Sequence, residues 1–227
     1  MKTGTSLPPD GLTATRTCPL CETPGAVRIH ADGGRRYYRC GTCRLVFVGE
    51  ESLPTPEEAR GQYDLHTNHP DDPGYRRFLS RLFEPLNAAL SPGSRGLDFG
   101  CGPGPALGRM FEEAGHRVRE YDPIYAPDET VFEEQYDFIT ASEVLEHLHR
   151  PREELDQLWD RLRPGGWLGV MTKRVRDDAA FRTWHYRLDP THVVFFGIET
   201  FGWLAARWGA EWTAPAADVV LMRRRDC

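Results

Sequence analysis

No run of 18 apolar residues occurs in this 227-residue chain, so no membrane span is expected. The opening "MKTGTSLPPDGLTATRT" lacks an apolar segment, which argues against a secretory leader and makes residues 1–15 an expected flexible lead-in. Positive charge is also short. The 28 Lys and Arg against 34 Asp and Glu give a net charge of -6 at pH 7, which argues against nucleic-acid binding over the whole surface. Two basic patches stand against that balance: Arg35, Arg36, Arg39 and Arg44, and then Arg223 to Arg225. Each reads first as a solvated face. Internal repeats and long low-complexity tracts are absent too. What remains is a chain 40% hydrophobic, enough for one ordinary core plus a small module.

Only six cysteines are present, and four form a pattern. "CPLC" and "CGTC" place Cys18, Cys21, Cys40 and Cys43 in a C-x2-C-x18-C-x2-C spacing. Each pair forms a knuckle that turns two thiolates to one ion, and two knuckles complete a tetrahedral zinc site. "AVRIHADGGRRYYRC" reads as two strands around an "ADGG" turn, and "RLVFV" as a third. The expectation is a zinc ribbon over residues 16–50. Four thiolates leave no open position, so this zinc is structural and supplies much of the module's folding free energy. The competing reading, two disulfides in a secreted protein, has no leader to support it. Unpaired Cys101 and Cys227 suit a reducing cytoplasm.

Residues 51–75 are rich in Pro, Asp, His and Asn and read as linker and lid, with "PEEARGQYD" a short helix. "YRRFLSRLFEPLNAAL" keeps helical apolar spacing until "SPGS" breaks it. A short strand from Gly96 to Phe99 then runs into the glycines Gly100, Gly102 and Gly104 and a helix from about Pro105 to Ala114. Such glycines let the backbone turn tightly and approach a ligand. Asp98 closes that strand, and about 20 residues later "HRVREYDP" ends a second strand in Asp122. An acid there accepts hydrogen bonds from ribose hydroxyls. "YDFITAS" and "WLGVMT" read as further strands. Between them a helix starts at Pro151 and buries Leu155, Leu158, Trp159 and Leu162, until "RPGG" stops it. A helix near Glu199 to Arg207 and strands near Gly209 to Thr213 and Val219 to Arg223 complete the chain. A third strand between Asp122 and "YDFITAS" is poorly marked. Alternation of strands and helices implies an α/β, doubly wound, mostly parallel sheet over residues 76–227.

With "LDFGCGPG", "YDP", "YDFITASEVLEHL" and "LRPGGWLGVMT" in this order, the chain resembles class I S-adenosylmethionine-dependent methyltransferases, of the bacterial type with an N-terminal zinc-binding segment. The resemblance implies a seven-stranded Rossmann-like sheet and S-adenosylmethionine as cofactor. It assigns the methionine part to Asp98, Gly100, Cys101, Gly102 and Gly104, the ribose to Asp122, and the sulfonium side to Ser142, Glu143 and Val144. The acid that usually contacts the adenine amine has no match. A dinucleotide-dependent dehydrogenase fits less well, because the loop reads G-C-G-P-G instead of G-x-G-x-x-G.

"TASEVLEHLHR" raises the chemical question. As a helix start it puts Glu143, Glu146 and His147 on one face, and "DPTHVVFF" returns His192 from the segment that covers the acceptor in this fold. The candidate bases are His147, His192 and Glu143. Glu143, Glu146, His147 and His192 together are also a candidate Mg2+ or Mn2+ site. That pattern is similar to metal-dependent small-RNA 2′-O-methyltransferases and to ubiquinone-pathway O-methyltransferases. The plainer reading gives Glu143 to the cofactor, Glu146 to an arginine and His147 to packing. Tyr186, His185 and Asp189 share the covering segment, and His149 and His185 read as surface or packing residues.

The expected function is methylation, on oxygen or carbon, of a small molecule such as a sugar, sugar nucleotide or other hydroxylated metabolite. An RNA methyltransferase gripping phosphates with the ribbon arginines is the first alternative. A non-catalytic adaptor is the second. A homo-oligomer is compatible with the aromatic-rich ribbon.

Overall fold

The computed structural model of the chain describes residues 16–65 and 69–226. The expected flexible lead-in and Cys227 lie outside the described residues. The first described element is a hairpin of β1 (Val27–Asp32) and β2 (Arg35–Arg39), followed by β3 (Val46–Val48). Gly33 and Gly34 form its turn at φ 48° and 90°, the left-handed geometry that a two-residue hairpin requires. Helix α1 (Pro56–Tyr63) is opened by Thr55, whose hydroxyl accepts from the Glu58 amide while Glu58 reaches back to the Thr55 amide.

Next come α2 (Pro73–Asn87), β4 (Arg95–Phe99), α3 (Ala106–Glu113), β5 (Arg117–Tyr121), β6 (Tyr136–Ser142), α4 (Pro151–Asp160) and β7 (Leu162–Met171). They are followed by α5 (Asp178–Arg182), β8 (Val194–Phe195), α6 (Ile198–Trp208), β9 (Glu211–Ala216) and β10 (Val219–Arg223). The main sheet runs β5-β4-β6-β7-β10-β9. Its first four strands are parallel, and β10 and β9 are antiparallel to their neighbours. Successive residues of one strand serve opposite faces. Phe138, Val219 and Leu221 pack with Leu79, Leu82, Leu86, Met110 and Phe111 of α2 and α3. Ile139, Val220 and Met222 pack with Leu155, Leu158, Phe201 and Leu204 of α4 and α6. Burial on both faces accounts for the nearly continuous apolar runs. Among the described residues, no helix is long and apolar enough to cross a membrane.

Three expectations need correction. Among the described residues the main sheet has six strands, not the expected seven. Residues 123–135 supply only an antiparallel bridge between Asp122 and Ala126 and a 3-10 turn at Glu129–Glu133. That length is near the minimum for a crossover alone, so β5 is an edge strand. "RPGG" is not the turn that stops α4: the helix ends at Asp160, Leu162 opens β7 instead of closing the helix stripe, and "RPGG" runs inside that strand with Gly165 at φ 76°. The chain after Ser142 is not the start of a helix. Glu143 takes φ 53°, a 3-10 turn covers only Leu145–His147, and α4 waits for Pro151.

The ribbon strands do not stand alone. Their sheet runs β1-β2-β3-β8, and β8 comes from the stretch just after His192. Val46 pairs with Phe195 and Phe47 with Val194.

Candidate active site

Ligands of open parallel sheets sit beyond the carboxyl ends of the strands. Here the chain leaves β4 at Gly100, β5 at Asp122 and β6 at Glu143, and the three turns border one cavity of about 570 Å³. Tyr63 of α1, Tyr75 and Phe78 of α2, and Tyr186, Asp189 and His192 of the covering segment close it from above. Tyr125 donates to Asp64 just past α1 at 2.6 Å, which ties the covering helix to the turn after β5.

The glycine turn is compact. The amides of Gly100 and Cys101 donate to the Tyr121 carbonyl at 2.7 and 3.2 Å. Gly100 adopts φ 72°, and a Cβ there would lie 2.4 Å from Cγ2 of Val144. Gly102 adopts φ 65°, and a Cβ there would meet nothing within 4 Å. It therefore presents bare backbone to the cavity, as a loop that receives a ligand must. Asp122 Oδ2 accepts from the Gly102 amide at 3.1 Å, and Oδ1 accepts from Ile124 and Tyr125 at 2.8 and 3.0 Å. The acid is thus fixed at the mouth of the loop. This cradle fits S-adenosylmethionine in its donor set and open glycine.

Of the residues expected to hold that cofactor, Gly100, Cys101, Gly102, Asp122, Ser142 and Glu143 border the cavity, while Asp98 and Gly104 do not. Asp98 is 4% exposed and lies under the loop, accepting from Thr140 Oγ1 at 2.7 Å. Burial pushes its carboxyl up to about 7; hydrogen bonds from Thr140 and the Gly108 amide oppose the rise, and nearby Glu120 adds to it. Gly104 is buried at the entry to α3.

The acceptor end gathers Glu143, Glu146, His147, Tyr186, Asp189 and His192. Glu146 is 1% exposed and accepts from the Tyr186 hydroxyl and, at 2.9 Å, from Thr172 Oγ1. The plainer expectation of an arginine partner for Glu146 is thereby corrected. The Tyr186 hydroxyl also lies 3.4 Å from Glu143 Oε2, while Glu143 Oε1 is buried without a partner. Burial, reinforced by the Glu146 charge, raises the Glu143 carboxyl to about 8. Burial also raises Glu146, against the charge of His192. His192 Nδ1 is 2.6 Å from the Tyr186 carbonyl, and His147 Nδ1 is 3.1 Å from the Thr191 carbonyl. In the neutral rings these contacts put the proton on Nδ1 and the lone pair on Nε2. Burial lowers the His192 pKa, opposed by Glu146. The ring centroids of His147 and His192 are 4.8 Å apart. Neutral imidazoles so placed can take a proton from an acceptor.

The same end can hold a cation. Ligand atoms of Glu146, His147 and His192 lie within 4.8 Å of one another; Glu143 does not join that group. Two imidazoles and one carboxylate with open positions suit a divalent transition metal. Tyr63, Tyr75 and Thr172 join the site without a clear sequence signal, because each sits in an ordinary apolar or loop context, whereas Tyr186 and Asp189 are expected on the covering segment. His149 and His185 are exposed, as expected.

The thiols of Cys18, Cys21, Cys40 and Cys43 also converge within 4.8 Å. Cys18 and Cys43 sulfurs are 3.5 Å apart, and Cys21 and Cys40 sulfurs 3.3 Å. A tetrahedral zinc with bonds of about 2.3 Å sets sulfurs about 3.8 Å apart, whereas a disulfide needs about 2 Å. The two knuckles repeat one geometry. Cys18 N donates to Thr23 O and Cys40 N to Leu45 O, and Glu22 and Arg44 after each pair adopt φ 60° and 63°. The residues fit zinc and not a disulfide.

A family model described as a methyltransferase domain matches residues 69–214. Among solved structures, Burkholderia thailandensis 1,6-didemethyltoxoflavin-N1-methyltransferase, with 1,6-didemethyltoxoflavin and S-adenosylhomocysteine bound, aligns at TM-score 0.50. It is 16% identical, over 87% of this chain and 98% of that one. An O-methyltransferase family protein from the same organism aligns at TM-score 0.49 and 15% identity, over 78% and 65% of the two chains. A cyclase of the 4+2 type, SpnF, aligns at TM-score 0.50 and 14% identity, over 77% and 98%. Identities this low speak for the fold alone. No curated protein matches.

Proposed function

The chain belongs to the methyltransferase-domain family, a class I S-adenosylmethionine-dependent fold, and from that premise we propose that it methylates an uncharged, hydroxylated small molecule, on oxygen or carbon, in the cavity beneath α1. When bound, S-adenosylmethionine supplies an already activated methyl group, so the protein contributes mainly proximity and alignment. The glycine turn from Gly100 to Gly102 and Asp122 hold the cofactor, with Cys101, Ser142 and Glu143 beside it. Asp98 supports the turn from below. His147 and His192, each with Nδ1 spent on a carbonyl, take the acceptor proton at Nε2, and Glu146 stabilises the imidazolium that forms. One observation carries the reading: both imidazoles and two carboxylates share the cavity with the glycine turn.

The charge of the lining narrows the acceptor. It carries five carboxyl groups, Asp122, Glu143, Glu146, Glu154 and Asp189, of which burial holds Glu143, Glu146 and Glu154 toward the protonated form, and, among the described residues, no Arg or Lys to meet a phosphate. A sugar or polyol is therefore favoured over a phosphate-bearing sugar nucleotide. RNA is disfavoured for a second reason: Arg35 and Arg39 of the ribbon are spent inside the protein, Arg39 on Asp178 at 2.6 Å. The open Gly102 and the fixed Asp122 disfavour the adaptor reading. Zinc on the four thiolates is structural. The division into ribbon (16–50), linker and lid (51–75) and catalytic part (76–227), and a cytoplasmic setting, belong to the same proposal.

A second reading rests on the convergence of Glu146, His147 and His192. On that reading these residues would hold Mn2+ or Mg2+, which would lower the pKa of a hydroxyl bound to it. The test of the main reading is a methyl-transfer screen with labelled cofactor over sugars, polyols, catechols, sugar nucleotides and RNA. Turnover of uncharged hydroxyl compounds in chelator that spares the zinc supports it. Turnover confined to RNA or sugar nucleotides overturns it.

A further inference from the structure

The arginines of the ribbon read as a solvated face or a phosphate grip in the sequence. Arg35 has neither use. Its guanidinium donates to three main-chain carbonyls: Arg187 at 3.1 Å, Asp189 at 2.9 Å and His192 at 2.5 Å. All three belong to the loop that covers the cavity, and Asp189 and His192 line it. Tyr37, two residues along β2, donates its hydroxyl to the Arg187 carbonyl at 3.2 Å. The Arg187 side chain returns the contact by pairing with Asp32 of β1. Past His192 the ribbon grips again. Val48 N donates to the Val193 carbonyl at 2.9 Å, and Val193 N donates to the Glu146 carbonyl at 2.8 Å. His192 thus stands between two ribbon contacts, and the second continues into the backbone of Glu146.

Three carbonyl oxygens turned to one point repel one another unless a cation sits among them. The planar guanidinium satisfies all three with its fixed fork, which an ammonium cannot do in the same geometry. We propose that Arg35 is a positioning residue of the acceptor site: it fixes the 187–192 loop so that His192 and Asp189 face Glu146 and His147. The zinc ribbon is then half of the frame of the acceptor site and not an appended binding module. This rests on the reading that the 186–192 segment forms the acceptor end.

The test uses the full chain, loaded with zinc and S-adenosylhomocysteine, as wild type, Arg35→Ala and Arg35→Lys. Zinc content and S-adenosylhomocysteine affinity are expected to match wild type in all three. In Arg35→Ala, amide exchange over residues 187–193 is expected to quicken at least tenfold, with the ribbon amides unchanged. The 13C-labelled ring signal of His192 is expected to move or broaden, while that of exposed His149 does not. Arg35→Lys should recover part of both effects. Unchanged exchange and an unchanged His192 signal would overturn the proposal, and so would an even loosening of the whole chain, which marks Arg35 as a general stabiliser. Failure of the wild type to bind S-adenosylhomocysteine would instead overturn the cofactor reading, leaving the exchange result to judge Arg35.

Discussion

Asp98 is a buried carboxyl whose charged form the fold disfavours. It lies under the glycine turn with a carboxyl raised to about 7 from an ordinary 3.8, chiefly by burial. A carboxyl raised on folding binds more protons folded than unfolded between those two values, so stability falls as pH rises through that window and levels off above it. Each tenfold change in proton affinity is worth about 1.4 kcal/mol. The full penalty is therefore on the order of 4 kcal/mol above about pH 7, and about 3 kcal/mol of it accumulates between about pH 5 and about pH 8. Asp98→Asn removes the titration but keeps an oxygen for Thr140. The assay is urea unfolding of both proteins at the two pH values with zinc held saturating. Histidines titrate in the same range but equally in both chains, so the difference between the curves isolates Asp98. The variant is expected to gain about 3 kcal/mol on wild type at the higher pH relative to the lower. Parallel pH profiles would refute the reasoning and show Asp98 ionised, and compensated, in the fold.

Four further outcomes are expected. His192→Gln should lower turnover by about 10²-fold or more, the usual contribution of a general base, and leave S-adenosylhomocysteine affinity within calorimetric error; equal losses in both would deny it the base role. Gly100→Ala combines a left-handed φ with a Cβ 2.4 Å from Val144, and strain alone there costs about 1 to 3 kcal/mol. Its cofactor affinity should fall at least tenfold in titration. Cys43→Ser, or a chelator strong enough to strip zinc, should release the ribbon amides to fast exchange, and amides over 193–195 should follow because β8 pairs with β3. Calorimetric titration of Mn2+ into zinc-loaded protein decides the second reading: one site that vanishes in Glu146→Ala supports it, and the absence of heat leaves the imidazoles as bases.

Much of the fold was legible because the parallel core writes its signal in local runs. The strands ending at Phe99, Tyr121 and Ser142 appear as short apolar stretches bounded by glycine, proline or acid, and burial on both faces explains why they do not alternate. The missing strand is also legible in hindsight: "PDETVFEEQ" is too short and too acidic for a helix and a strand. The pairing of β8 with the ribbon was not legible. Val194 and Phe195 form only two residues of strand, and their partners Val46 and Phe47 lie far away in sequence. No local pattern records a pairing across that distance.

The candidate site shows the same division between local and remote signals. Spacing alone identified the four cysteines, and Glu146, His147 and His192 do meet in space, although the helix face argued for the first two does not exist. What brings Glu146 and His147 inward is the left-handed turn at Glu143, which sequence reasoning gives no reason to expect of a glutamate. Among the described residues, the other non-glycines at positive φ are Glu22 and Arg44, one at each cysteine knuckle. All three strained residues therefore sit where a ligand is inferred from independent features. Strain of this kind persists only where its surroundings hold it. At the knuckles, the converging thiolates with their metal would hold it. At Glu143 the restraint is a 2.7 Å bond from its amide to the Met171 carbonyl, together with the Tyr186 contact from the covering loop. Glu143→Gly should relieve the turn without breaking that ladder bond, so the variant should fold at least as stably as wild type yet lose methyl transfer. A Glu143→Gly variant that is both less stable and fully active would mean that the turn serves packing alone.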